Sequence, residues 1–253
     1  MKYSKDEILQ MLISQYHFQT KFDPNVFEDV EPNYEFTIFE WRDACDLLNP
    51  TKLAKIYHEE FKIKRPILEL ETLLKNEDIN TLNEFCYYIS QHAERETIEP
   101  INLFGQNCQT ASIFRTLKNN LTKKGVDTTY LKPSAKISNY FLKNGGIIFD
   151  EVNRIAPGTM SKFEYKVNKT EVMGNRILFF TIIFGIAFWK ILFFHWLLLL
   201  PIVIGIIVSQ IGMKKEPEKL NFGGFENFRE LIYGMEKQLK KASIQQSAYA
   251  IKA

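Results

Sequence analysis

Cysteine is scarce in this sequence and shows no pairing pattern. The 253 residues hold three, Cys45, Cys86 and Cys108. None belongs to a CxxC pair, and spacings of about 40 and 20 residues match no zinc motif. Each is flanked by apolar or helix-forming residues. They read as reduced thiols packed as small hydrophobes, in a reducing compartment. Histidine is nearly as sparse: His17, His58, His92 and His195. No His-Glu-x-x-His pair is present, so a zinc hydrolase has no ligand set and no metal site is expected. A phosphate-cradling Gly-x-x-x-x-Gly-Lys-Ser/Thr loop, a Gly-x-Gly-x-x-Gly turn and a Gly-x-Ser-x-Gly elbow are also missing. These absences leave nucleotide binding and serine hydrolysis without support, and no cofactor is expected. No internal repeat of useful period is found. The start, MKYSKDEILQ, puts Asp6 and Glu7 where the apolar stretch of a leader would begin, so no leader is expected.

What is present is divided. The mean hydropathy of -0.19 and net charge of +2 average over very different segments. Residues 1–50 carry a balance of -6 and residues 51–100 a balance of -3. Residues 101–176 carry +7 and residues 214–253 carry +3, while 177–213 hold one charged residue, Lys190. This gradient predicts an anionic surface near the basic half and a protein partner for the acidic N-terminal half.

The basic half is densest at Arg115, Lys118, Lys123, Lys124, Lys132, Lys136 and Lys143, against the single acid Asp127. Lysines suit phosphate groups as point charges. Sequence-specific nucleic-acid binding would want arginines and a recognised module, so nucleic acid is not the expected partner. The stretch is assigned to anionic lipid headgroups or to an ordinary solvated helix face.

Ile177 to Met213 spans 37 residues whose only charged or titratable side chains are Lys190 and His195. As one helix it would run roughly 55 Å, against a hydrocarbon core of about 30 Å. The polar interruption, Trp189-Lys190 and His195-Trp196, sits at the middle, where it would suit a headgroup region. Basic flanks, including Arg176 before the segment and Lys214 and Lys215 after it, predict that both ends are cytoplasmic. The expectation is a two-helix transmembrane hairpin, roughly 177–193 and 195–213, in an integral membrane protein with both termini cytoplasmic. One span at 191–213 with 177–189 in the interface is the alternative. Gly185 and Gly205 would let the two helices approach closely.

Elsewhere the fold class is mainly α. Ser4-x-x-Glu7 and Thr37-x-x-Glu40 are capping boxes, and Asn49-Pro50 is an N-cap followed by proline at the first helical position. Helices are expected near 5–16, 38–48, 50–61, 67–74, 82–94, 108–123 and 134–143, the last stopped by Gly145-Gly146. Ile147-Ile148-Phe149 and Lys162–Val167 read as strands of a small β-hairpin. The tail from Gly224 places Phe225, Phe228, Leu231, Ile232, Met235 and Leu239 on one helix face, which either packs on the domain or lies on a membrane. The expected organisation is a helical cytoplasmic domain at 1–146, a strand-like connector at 147–176, the hairpin at 177–213 and a tail at 214–253.

Residues 43–89 resemble an acyl carrier protein. Asp43-Ala44-Cys45-Asp46-Leu47-Leu48 is similar to the motif that opens that family's second helix. Tyr57–Ile63 and Asn80–Phe85 resemble the helix end and the last helix start that follow. Ala44 stands where the family has the serine that carries phosphopantetheine, so the resemblance implies a three- or four-helix module without carrier function. No catalytic residue is assigned. Cys108 at a helix start would need a base, and His92 is the one available. The expected function is a membrane-anchored binding or scaffolding protein. The alternative is a membrane-attached enzyme acting on a lipid or acyl substrate, through Cys108 or an unrecognised carboxylate pair.

Overall fold

Capping residues set the first helices. The Ser4 hydroxyl accepts from the Glu7 amide while the Glu7 carboxylate takes the Ser4 amide, opening α1 (Lys5–Gln19). Thr37 and Glu40 do the same for α2 (Ile38–Ala44). Asn49 caps α3 (Pro50–Glu60), with Pro50 at a position whose missing amide costs nothing. After α4 (Ile67–Lys75), the cap of α5 (Leu82–His92) is Thr81 with Glu84, and Asn80 instead donates to the Leu73 carbonyl. The computed structural model describes residues 2–22, 26, 30–103, 105–160, 163–187, 196–213 and 219–252.

A short hairpin, β1 (Asn102–Leu103) with β2 (Gln106–Asn107), turns at Gly105 and leads into α6 (Gln109–Lys123). Gly125, at a φ of 84°, ends α6. Its amide bonds the Thr122 carbonyl and the Val126 amide bonds that of Leu121, which satisfies two orphan carbonyls. Then the sequence pattern misleads. α7 (Ser138–Ile155) runs through Gly145-Gly146 with one non-helical residue, Asn144. The run read as a strand, Ile147-Ile148-Phe149, is helical. The expected hairpin does not form: β3 (Phe163–Lys166) pairs with β4 (Lys219–Phe222).

The chain divides into two compact units, residues 1–163 with 222–253, and residues 164–221. In the first unit, α1 to α5 enclose Trp41, Tyr57 and Phe85, all buried, with Trp41 and Tyr57 each 5.2 Å from the Phe85 ring centre. A second aromatic group gathers Phe18, Phe141, Phe149, Phe163 and Phe222, with Phe18 stacked on Phe149 at 4.2 Å. The tail helix α10 (Phe228–Lys252) packs back on α6 and buries Phe228, Leu231, Ile232 and Met235. Its start is pinned by the Phe228 amide on the Ala135 carbonyl and the Arg229 amide on that of Pro133.

The second unit holds α8 (Lys169–Ala187) and α9 (Trp196–Met213), packed on each other. A transmembrane hairpin and an integral membrane location were expected here, and the structure corrects both. Among the described residues no helix is long and apolar enough to cross a membrane. The reason lies in where α8 begins: it starts at Lys169, so its first half carries Lys169, Glu171 and Arg176. α9 contains Pro201, which removes a backbone amide from its hydrogen-bond ladder. A charge-free stretch of sequence is therefore not the same as the apolar length of a helix.

Candidate functional site

A cleft of about 870 Å³ opens within the first unit. Its walls come from five helices, α2 contributing Trp41, and one connection. α1 turns Leu12, Gln15 and Tyr16 toward it, and the α2–α3 connection adds Cys45, Leu47 and Leu48. α3 presents Leu53, Tyr57 and Glu60 at helical spacing. The end of α6 brings Asn120, Lys123 and Lys124. α7 presents Gly146, Phe149, Asp150 and Arg154, again one helical face.

The floor is ionic and well held. The Glu151 side chain is 1% exposed. Its Oε2 accepts from Arg154 at 2.6 Å and from Asn120 Nδ2 at 3.0 Å. Arg154 also contacts Glu96 at 2.6 Å, and its carbonyl accepts from the Tyr3 hydroxyl at 2.8 Å. Burial by itself raises the Glu151 carboxyl, but Arg154 and Lys124 together outweigh it and hold the group below its ordinary value. Lys124 Nζ lies 3.0 Å from Glu151 Oε1 and pairs with it as a cation.

Two other carboxyls differ. Glu60 is pushed up to about 7 by burial and then by the charge of Asp150, with Lys124 and Arg154 acting the other way. Burial pushes Asp150 up to about 6, opposed by Lys124. Both are half-buried. The cleft thus joins apolar walls to carboxyls that exchange protons near neutral pH.

The expected site residues are distributed rather than gathered. Lys123 and Lys124 line the cleft. Lys118 donates to the Leu131 carbonyl at 3.2 Å. Arg115 is exposed on α6, Lys143 is exposed on α7, and Lys132 and Lys136 are exposed on the segment between them. Of the residues expected at a membrane interface, Arg176 is exposed on α8 and Trp196 begins α9. Trp189, Lys190, His195, Lys214 and Lys215 lie outside the described residues. Among the described residues no group of three or more histidine, cysteine or acidic side chains could hold a metal ion.

The thiols fall into two classes. Cys45 and Cys86 are buried, and burial pushes both up to about 12, where a thiol is inert. Cys108 caps α6. The Thr110 hydroxyl, 3.4 Å away, and then the Ala111 amide lower its pKa. It lines no part of the cleft, and the His92 ring is turned to Tyr88 at 4.7 Å. The Asp43–Leu48 run that resembles a carrier motif spans the end of α2 and the loop before α3.

Glu60 and Asp150 carry the chemistry and neither was singled out from sequence. Glu60 follows Glu59 and reads as a solvated pair. Asp150 follows a run that reads as a strand. The signal was a helical one: Gly146, Phe149, Asp150 and Arg154 share a face once 145–155 is taken as helix. No protein-family model, no curated protein and no solved structure matches the chain.

Proposed function

We propose that the chain is a binding protein whose first unit takes a ligand with an apolar body into the cleft between α1, α3, α6 and α7. One observation carries this reading. The cleft combines a volume within the range of about 300–1,000 Å³ usual for small-molecule sites with apolar surface and convergent charged groups of both signs. A scaffolding role with a protein partner on the acidic half, residues 1–100, is the broader form of the same reading.

Gly146 supplies the test. It lines the cleft, and a Cβ built there meets nothing within 4 Å. Gly146→Phe therefore fills the cleft without displacing backbone. Calorimetry should show 1-octanol binding saturably and one-to-one to the full chain, with binding lost in Gly146→Phe. Equal binding by both proteins would reject the cleft as the site.

A catalytic reading on an acyl substrate has one observation in its favour, since a carboxyl near 7 suits proton transfer. Turnover of p-nitrophenyl octanoate that disappears in Glu60→Gln would favour it over simple binding.

A further inference from the structure

The charges of the cleft do not cancel. Arg154 is committed to Glu96 and Glu151, and Lys124 to Glu151. Of the other charged lining residues, Asp46, Glu59, Lys62 and Lys123 are exposed. Glu60 and Asp150 are half-buried, and neither accepts a hydrogen bond from a side chain or a backbone amide among the described residues. Glu151 Oε1, on a side chain almost wholly buried in the floor, has Lys124 Nζ at 3.0 Å. Its nearest cation, Lys124, is 46% exposed at the other end of the contact. Six acidic side chains thus line the cleft against four basic ones, and two of those four, Lys124 and Arg154, are already paired. Leu47, Leu48 and Ile56 line the same cleft with apolar surface that remains accessible.

From this we infer that the cleft takes an amphiphilic organic amine, its ammonium group held by the Glu60 and Asp150 carboxylates and its apolar body laid on Leu47, Leu48 and Ile56. The inference rests on the binding reading above and names the ligand class for the same site. An ammonium group fits the need because it supplies three donors and no acceptor. Charge-assisted hydrogen bonds to carboxylates are the stronger kind. A metal ion would not suit, because no ligand set of three or more groups is assembled among the described residues. An anionic ligand would have to displace Lys124 from Glu151 or rely on Lys62 and Lys123 at the rim.

Binding is coupled to protons. Glu60 faces Asp150, Lys124, Arg154 and Glu151, and Asp150 faces Lys124 and Glu151. Burial keeps both carboxyls partly protonated near neutral pH, so an arriving ammonium expels protons from them. A primary alkylamine stays charged across this range. Affinity therefore rises as pH goes from 5.5 to 7.5.

Three probes with one tail length test this: 1-aminooctane, 1-octanol and octanoate, titrated into the full chain by calorimetry. In the native protein 1-aminooctane should bind at least about tenfold more tightly than 1-octanol, with proton release at pH 6.5 and octanoate weakest. In the double variant Glu60→Gln, Asp150→Asn, 1-aminooctane and 1-octanol should bind alike and proton release should vanish. Retained 1-octanol binding shows that the variant cleft is intact. The single variant Glu60→Gln should lose part of the preference and serves if the double variant fails to fold. Equal affinity of amine and alcohol in the native protein would overturn the inference and leave the binding reading standing. A preference for octanoate would also overturn it and assign the head group to Lys123 and Lys124. Binding of none of the three would remove both.

Discussion

The two units use the same apolar residue types in opposite ways. In the first, Phe85, Phe149, Leu70 and Ile148 are fully or almost fully enclosed. In the second, Phe180 is 65% exposed, Ile186 73% and Leu200 65%. α8 and α9 spend their small residues on each other. A Cβ on Gly174 or Gly212 would stand closer than 3.0 Å to backbone of the facing helix, and the Ser209 hydroxyl donates to Asn175 Oδ1 at 2.9 Å. Apolar content therefore does not decide burial; the number of layers does. Five helices around one centre can enclose large side chains. Two helices can cover only the line where they touch. Each unit should accordingly answer to a different kind of damage.

The largest effect is expected in the first unit. Phe85 is fully buried between Trp41 and Tyr57. Truncation by Phe85→Ala removes aromatic contacts on both sides and leaves a cavity, at a cost of about 3–5 kcal/mol. Chemical denaturation followed by tryptophan fluorescence should show the loss. Hydrogen exchange of residues 170–186 should stay as in the native chain. A parallel loss of protection there would mean that the two units unfold as one.

A smaller effect separates the units by pH. Glu60 and Asp150 both belong to the first unit, and their carboxyls are raised from 4.5 to about 7 and from 3.8 to about 6, chiefly by burial. Between about pH 4 and 7 the folded state keeps protons that the unfolded chain gives up. The stabilising contribution is complete at the acid end and falls away as pH rises through 6 and 7. One pKa unit corresponds to about 1.4 kcal/mol, so the decline for Glu60 is about 3–4 kcal/mol at most. Glu151 acts in the opposite sense, because its folded value lies below the ordinary one, and its contribution is lost only as the solution becomes more acid than pH 4.5. Urea melts at pH 5 and pH 8 should differ in the native chain, differ less in Glu60→Gln, and converge in the double variant Glu60→Gln, Asp150→Asn. A native chain more stable at pH 8 than at pH 5 would contradict the burial of these carboxyls.

Legibility followed distance along the chain. The caps at Ser4, Thr37 and Asn49 were readable because donor and acceptor lie three residues apart. The tail helix was readable because its apolar face repeats at helical spacing. α7 was not. Gly145-Gly146 looks like a stop, yet a Cβ at Gly145 would strike the Phe141 ring, so the first glycine serves packing inside the helix. Ile147-Ile148-Phe149 looks like a strand because a short apolar run cannot be told from buried helix by periodicity. The cleft was out of reach for a different reason. Glu60 and Asp150 stand 90 residues apart in sequence, and only the packing of α3 and α7 around one cavity makes them neighbours in charge. Lys124 shows the same limit: within a basic run it suggested a lipid surface, and in the fold it contacts a buried carboxylate.

The smallest effect belongs to the second unit and isolates its packing. Gly212 lies on α9 where a Cβ would meet the Glu171 backbone closer than 3.0 Å. Backbone cannot swing aside as a side chain can, so Gly212→Ala must push α8 and α9 apart. Gly205 differs: its added Cβ would meet Leu178 Cγ and Cδ2 closer than 3.0 Å, a side chain that can rotate, while the nearest backbone atom, the Gly174 carbonyl oxygen, stands at 3.3 Å. Overpacking of this kind costs about 1–3 kcal/mol. Gly212→Ala should fall within that range, and Gly205→Ala near or below its lower end. Because the exposed apolar side chains of α8 and α9 gain nothing from each other, little else in the pair offsets the loss. Hydrogen exchange of residues 170–186 and 200–213 should accelerate by about one order of magnitude or more in Gly212→Ala. Denaturation of the first unit should be unchanged. Equal acceleration by the two alanines would show that side-chain crowding, and not backbone approach, limits how closely the helices pack.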